Sequence, residues 1–490
     1  VTAPVDRDPP VNPSLRRGLT AAVLILLVLV VPMLIDAGYA ATLHIPRNYN
    51  EGWNALYTRG LLHGLPLYRG PVPFLTNNYP PLSFYIVAAV TPLAPDALFA
   101  GRAVAAVSLL IVLWNVGAIA ARLTGSRLAG WFAALLVVAT VAAFYSDYVA
   151  MDDPQLLGHV FMTSALRLLV WRWDSNRALG IALLIMAIGG LVKHNLLALP
   201  LATVITAAAD SPRRALGVLA AGIGLVAVAC ALLAVAYGAP VFHSILGAHQ
   251  QATFTQFAAN LRDYVMPMAP VIALASPALL AGPDGERGPA LLIRGYAAAA
   301  FVTALLFAGG AGVSYNIFFE LLLGAAILAA DAVMRVDTLL RGSAFARSVA
   351  LLPFAGTVAI LLAAPYRLLQ VKWNLLDGDL GRTAAAAAQD IRVLAAAPGP
   401  VACEDLALCF WAGKELELDF FNSRQAVRSG RATETQLLEP LREHRYGAVQ
   451  IVGSDPSQPH SRVSRPFLEA LHANYTLVRR SPTGFIYVPR

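Results

Sequence analysis

Long apolar blocks almost free of charge recur along this sequence, beginning with "GLTAAVLILLVLVVPMLIDA" at 18–37. Each is roughly the length needed to cross a hydrocarbon core about 30 Å thick. Of 490 residues, 58% are hydrophobic and 13% charged, and the mean hydropathy is +0.62. A soluble globular protein is about 45–50% apolar and about 25% charged. The excess sits in the blocks, so the chain reads as a polytopic α-helical membrane protein.

The formal net charge of +7 does not point to nucleic acid, because there is no long basic run. Arginines gathered in cytoplasmic turns explain it. Arg16 and Arg17 precede the first span and place the N-terminus, residues 1–18, in the cytoplasm. The stretch 19–36 has no A-x-A-like cleavage site behind it and reads as an uncleaved span. Arg-bearing turns follow at "RLTGSR", "WRWDSNR" (171–177), "DSPRR" (210–214), "GPDGERG" (282–288) and "MRVDTLLRGSAFAR" (334–347). Between them lie "DYVAMDDP" (147–154), "KHN" (193–195), a polar segment around 238–264 and "GGAGVSYN" (309–316), which are poorer in positive charge.

This alternation predicts about eleven spans near 19–36, 99–121, 128–146, 155–171, 178–192, 195–209, 215–237, 265–281, 290–308, 316–333 and 348–364. "PPLSFYIVAAVTPLA" (80–94) is apolar but short, with Pro at both ends, and reads as a juxtamembrane or re-entrant helix within a first outer loop, 37–98. Counting it as a span would put "RLTGSR" outside and invert every later loop.

The transmembrane region is thus expected over 19–365 and a small non-cytoplasmic α/β domain over 366–490. In the latter, "GRTAAAAAQDIRVLAAA" suits a helix and "GPVACEDLALCFWAGKELELDF" reads as strand, helix, strand. "YGAVQIVG" is a buried strand, and the end of the chain reads as helix plus hairpin. Of three cysteines, Cys230 lies in an apolar run, whereas Cys403 and Cys409 would pair if the tail faces an oxidising compartment.

Four outer segments collect polar groups. The first loop supplies Glu51, Trp53, Tyr57, Arg59, His63, Tyr68, Arg69 and "NNYPP", with Asn78 and Tyr79. The others supply Asp147, Asp152 and Asp153; Lys193, His194 and Asn195; and Ser314, Tyr315, Asn316 and Glu320. Each has a plain structural reading. "EGWNALYTRGLLHG" has the face of an interfacial helix, Asp152 and Asp153 before Pro154 suit an N-cap, and Lys193 can snorkel at a helix end. Glu320 resists such a reading, because an ionisable group at membrane depth is costly unless paired.

The order of these motifs resembles the GT-C class of membrane-embedded glycosyltransferases, in the bacterial branch related to protein O-mannosyltransferases and the lipid A aminoarabinose transferase. "NYNEGWNALYTRGLLHGLPLYRG" stands where that class carries an acidic pair, and "NNYPPLSFY" looks like its juxtamembrane helix. "YVAMDDPQLLGHVF" is similar to its Asp-Pro turn, and "GGLVKHNLLALPLA" to its segment with a donor-phosphate lysine. "SYNIFFELLLGAAILAA" and the closing α/β domain also suit it.

The resemblance implies sugar transfer from a polyprenyl-phosphate donor to a lipid, glycan or protein hydroxyl at the periplasmic face of a bacterial inner membrane. It casts Glu51 as the base and Asp153 as a second carboxylate. Lys193, then Arg59 and Arg69, would bind the leaving phosphate. The substrate would be bound by Trp53, Tyr57, Asn78, Tyr79, Asp152, His194, Tyr315, Asn316 and Glu320. Asn50 stands at the first acidic position, which leaves one carboxylate there unless Asp153 restores a pair, and favours metal-independent chemistry with no cofactor; Glu51 as a base rather than a covalent nucleophile would make the transfer inverting. Two other classes compete. A glycolipid transporter or flippase would show internal repeats and mid-span polar residues, and an accessory subunit would tolerate loss of Glu51 and Asp153.

Overall fold

Side-chain caps set the starts of the helices. Asn12, Asp96, Ser126, Asp153, Ser175 and Ser211 each accept a hydrogen bond from a first-turn N–H, satisfying a donor that the helix itself leaves free. The computed structural model describes residues 12–68, 74–247, 251–280, 287–340, 351–453 and 462–490.

The first nine helices are α1 (Pro13–Ala41), α2 (Tyr49–Leu62), α3 (Leu82–Val90), α4 (Ala97–Thr124), α5 (Arg127–Phe144), α6 (Pro154–Arg172), α7 (Asn176–Val192), α8 (Ala198–Asp210) and α9 (Pro212–Tyr237). After these come α10 (Ala239–Leu246), α11 (Phe254–Asn260), α12 (Ala269–Leu280), α13 (Arg287–Phe307), α14 (Phe319–Leu340), α15 (Leu352–Ala355) and α16 (Val358–Leu375).

Helices overlap the expected spans, the one expected at 348–364 being broken between α15 and α16, but among the described residues seven are long and apolar enough to cross a membrane. They are α1, α4, α5, α9, the run Phe254–Leu280, Gly288–Phe307 and Tyr315–Val336. Leu82–Leu93, Asn176–Val192 and Ala198–Asp210 are shorter apolar helices. The structure therefore shows a multi-span helical membrane protein without fixing the count at eleven. The turn at 282–286 and the stretch 341–350 lie outside the described residues.

The core of the bundle is built around α14, whose Leu322, Ala326, Ile327 and Ala330 are at most 1% exposed. α9 is its opposite: Leu219, Ile223, Val226, Leu232 and Val235 are exposed, a surface suited to lipid rather than water. α1 and α16 are joined by a buried pair, Arg367 Nη2 to Asp36 Oδ2 at 2.8 Å, with Asn374 Nδ2 on the other oxygen at 2.8 Å. α16 runs through Pro365 to Leu375, so the junction expected at 366 falls inside a helix.

The C-terminal domain contains α17 (Asp379–Ala396), β1 (Val401–Cys403), α18 (Leu406–Trp411), α19 (Phe420–Arg428), α20 (Glu434–Arg442), β2 (Ala448–Ile451), α21 (Arg465–Asn474), β3 (Tyr475–Ser481) and β4 (Gly484–Pro489). The sheet order is β1-β2-β4-β3, parallel between β1 and β2 and antiparallel elsewhere. Cys403 and Cys409 form a disulfide between β1 and α18.

One expected strand is absent. "ELELDF" runs without a ladder into α19, because Leu418 packs into the domain core, Leu416 packs toward α2, and Asp419 caps the helix instead. This small α/β domain is clamped onto the first loop of the bundle. A Cβ on Gly52 of α2 would lie 2.0 Å from the Ala407 backbone nitrogen, so α18 rests directly on the α2 backbone. Trp411 Nε1 donates to Asp96 Oδ2 at 3.2 Å, and Asn422 Nδ2 donates to the Thr76 carbonyl at 3.3 Å.

Candidate active site

Four segments of the bundle that link or flank its helices meet the C-terminal domain around a cavity of about 250 Å³. Tyr49, Asn50 and Trp53 come from α2, and Asn78 and Tyr79 from the loop before α3. The α7–α8 turn gives Lys193, His194 and Asn195, and the loop before α14 gives Ser314 and Asn316. Asp419, Phe421 and Asn422 of the C-terminal domain close the cavity.

Lys193 follows the last residue of α7 on extended backbone and is 4% exposed. Its Nζ lies 3.6 Å from Asp153 Oδ1 and 3.9 Å from the centroid of the Tyr79 ring. Burial alone disfavours the ammonium, but the Asp153 carboxylate and Tyr79 outweigh it and raise the lysine pKa above its ordinary value. Asp153 is also the α6 N-cap, accepting from the Gln155 N–H at 2.8 Å. Its Oδ2 faces Asn50 Nδ2 at 3.3 Å. The capping reading and the charged reading of Asp153 are thus both realised by one side chain. His194 opens onto the cavity, yet the surrounding protein and the Lys193 charge lower its pKa to about 4 and keep it neutral.

Glu51 does not line the cavity. It is fully buried and grips Arg102 of α4 through two bonds, Nη2 to Oε1 at 2.7 Å and Nε to Oε2 at 3.0 Å. The Arg47 N–H also donates to Oε1 at 2.7 Å. Arg102 spends its remaining donors on the Ala41, Leu43 and Ile45 carbonyls. The pair therefore fixes the turn from α1 into α2, and a carboxylate so engaged is not available to a substrate.

Asp152 lies beside this pair. Burial, with Glu51 and Asp153 as like-charged neighbours, raises its pKa well above the carboxylate range. A Cβ on Gly101 would fall 2.0 Å from its carboxyl carbon. Burial and Glu51 likewise lift Asp405, at the start of α18, to about 7.

The other expected site residues divide. Trp53, Asn78, Tyr79, Lys193, His194 and Asn316 line the cavity. Tyr57 packs against Trp53 and Phe84 instead. Arg59 donates to the Phe410 carbonyl at 2.9 Å and to that of Lys414, so it holds the C-terminal domain rather than a phosphate. Tyr315 donates to Asp147 and stacks on Tyr145. Glu320 does not line the cavity; it is buried at the start of α14, with Oε1 lacking a hydrogen-bond partner. Arg69 lies outside the described residues.

Sequence reasoning passed over Arg102, although an arginine inside an apolar span is itself a signal. It also passed over Asp419, whose carboxylate accepts from Tyr49, from the Asn422 N–H at 2.9 Å and from Asn422 Nδ2 at 2.5 Å. Among the described residues, no cluster of three or more His, Cys, Asp or Glu has the arrangement of a metal site.

The site thus joins a multi-helix membrane bundle, a loop folded into short helices, a buried lysine–carboxylate pair at a polar cavity and a small α/β domain over it. Residues 78–238 match the family model described as dolichyl-phosphate-mannose-protein mannosyltransferase. Over nearly the whole chain the fold is that of ArnT from Cupriavidus metallidurans. The undecaprenyl-phosphate-bound crystal structure matches with a TM-score of 0.59 at 15% identity, covering 96% of this chain and 97% of that one. The apo structure matches with a TM-score of 0.60 at 15% identity, covering 95% and 98%. No curated protein matches the sequence.

Proposed function

We propose that this protein transfers a sugar from a polyprenyl-phosphate donor to an acceptor hydroxyl at the periplasmic face of a bacterial inner membrane. The observation that carries the reading is Lys193, the one lysine or arginine among the described residues lining the cavity, held against Asp153 behind it. The ArnT structure bound to undecaprenyl phosphate and the mannosyltransferase match over 78–238 support the donor class.

In this reading the donor phosphate takes the place of Asp153 as partner of the Lys193 ammonium. The acceptor oxygen attacks the anomeric carbon and the bond from that carbon to the phosphate oxygen breaks. Its electron pair leaves on the phosphate, where Lys193 stabilises the charge. The released Asp153 carboxylate, still oriented by Asn50 and the Gln155 N–H, takes the hydroxyl proton. A single displacement inverts the anomeric centre. Glu51 acts as a positioning residue, through α2.

Transfer from undecaprenyl-phosphate-linked sugar into membrane acceptors tests the reading. Lys193→Met and Asp153→Asn should each lower turnover by about 10²-fold or more, with the protein still folded. Full transfer by either variant would refute the assigned roles.

A further inference from the structure

The wall of the cavity carries information on the sugar itself. Five of its side chains are carboxamides: Asn50, Asn78, Asn195, Asn316 and Asn422. An amide both donates and accepts, matching a hydroxyl, which does the same. Asn78 and Asn316 make no side-chain hydrogen bond with the described residues, and Asn195 Oδ1 is buried without a partner. Such groups are available to a ligand, and a buried polar atom without a partner is costly. Trp53 and Phe421 add aromatic faces on which sugar C–H groups can lie.

The charges in the wall are already committed. Asp419 is 1% exposed, and its carboxylate is taken up by Tyr49, Trp53 and both donors of Asn422. Lys193 is the cation that the proposed reaction gives to the phosphate. Asp153, behind Lys193 and Asn50, is the carboxylate that the proposed reaction gives to the acceptor proton. Among the described residues of the lining, an ammonium on the sugar would therefore find no uncommitted carboxylate, and a sugar carboxylate no second lysine or arginine. Burying either unpaired is strongly unfavourable.

We infer that the transferred group is an uncharged, polyhydroxylated sugar, neither an amino sugar nor a uronic acid, and that the amide wall, including Asn422 of the C-terminal domain, selects it. This rests on the polyprenyl-phosphate donor reading above.

The test compares affinities of the full-length protein in lipid nanodiscs for four probes. They are undecaprenyl phosphate and the same lipid phosphate carrying a neutral hexose, a 4-amino pentose or a hexuronic acid. The hexose donor should bind about tenfold or more tighter than bare undecaprenyl phosphate, from two or more new hydrogen bonds. The charged donors should gain less than about threefold over the bare lipid phosphate, since their charge finds no partner. Asn316→Asp places a free carboxylate in the wall and should reverse the order of the hexose and amino donors.

A charged donor binding as well as the hexose donor would overturn the inference. So would a hexose that adds nothing to the affinity of bare undecaprenyl phosphate, and in both cases the donor reading survives. Failure of all four probes to bind, with the protein folded, would overturn the donor reading and the inference with it.

Discussion

Replacing Glu51 with Gln asks whether this residue is a base or a brace. The side chain keeps its shape but loses its charge, and Arg102, 2% exposed, loses the one carboxylate that reaches it among the described residues, at 2.7 Å and 3.0 Å. Removing one partner of a buried ion pair costs about 3–5 kcal/mol, because the other charge stays buried and unbalanced. Glu51→Gln should therefore lower the unfolding temperature of the protein in nanodiscs markedly. Arg102→Met should cost at least as much, since three loop carbonyls lose their donor as well. The double variant should fall short of the sum by about 2–3 kcal/mol, the range of strongly coupled neighbours. A Glu51→Gln protein as stable as its parent yet without transfer activity would refute this reasoning and return Glu51 to the role of base.

Two further perturbations probe the seam between the bundle and the C-terminal domain. Gly52→Ala puts a methyl carbon about 2.0 Å from the Ala407 nitrogen, so α18 must lift from α2. Limited proteolysis should then cleave the C-terminal domain from the bundle faster, and unchanged cleavage would contradict the close seat. Asp405, lifted to about 7 from 3.8, binds its proton more tightly folded than unfolded. Its contribution is complete below about pH 4 and is lost as pH rises through about 7, at most about 4 kcal/mol in all. Thermal unfolding across pH 4 to 8 should show this slope, and Asp405→Asn should flatten it.

Much of the fold was legible because membrane helices announce themselves. Uncharged length, caps such as Ser211–Pro212 and the interfacial pattern of α2 each have a local cause in sequence. The short helix at Leu82–Val90 was marked by its flanking prolines. Lys193 and Asp153 drew notice because each is an ionisable group at a helix end in a turn between apolar runs. What was lost is what depends on contact. Nothing local distinguishes Glu51 as the buried partner of Arg102 from Glu51 as an open base, and Arg102 hid within an otherwise apolar span. Asp419 looked like part of an alternating strand, and only the docking of the C-terminal domain carries it to Tyr49. The expected strand there failed because Leu416 and Leu418 serve two different cores, a division that period-2 alternation cannot reveal.

The central claim is that Lys193 receives the lipid phosphate. A structure of this protein with undecaprenyl phosphate tests it most directly. A phosphate oxygen should lie at charge-assisted hydrogen-bond distance, about 2.7–2.9 Å, from Lys193 Nζ, with Asp153 released toward Asn50. A phosphate seated elsewhere, with the Lys193–Asp153 pair still closed, would contradict it.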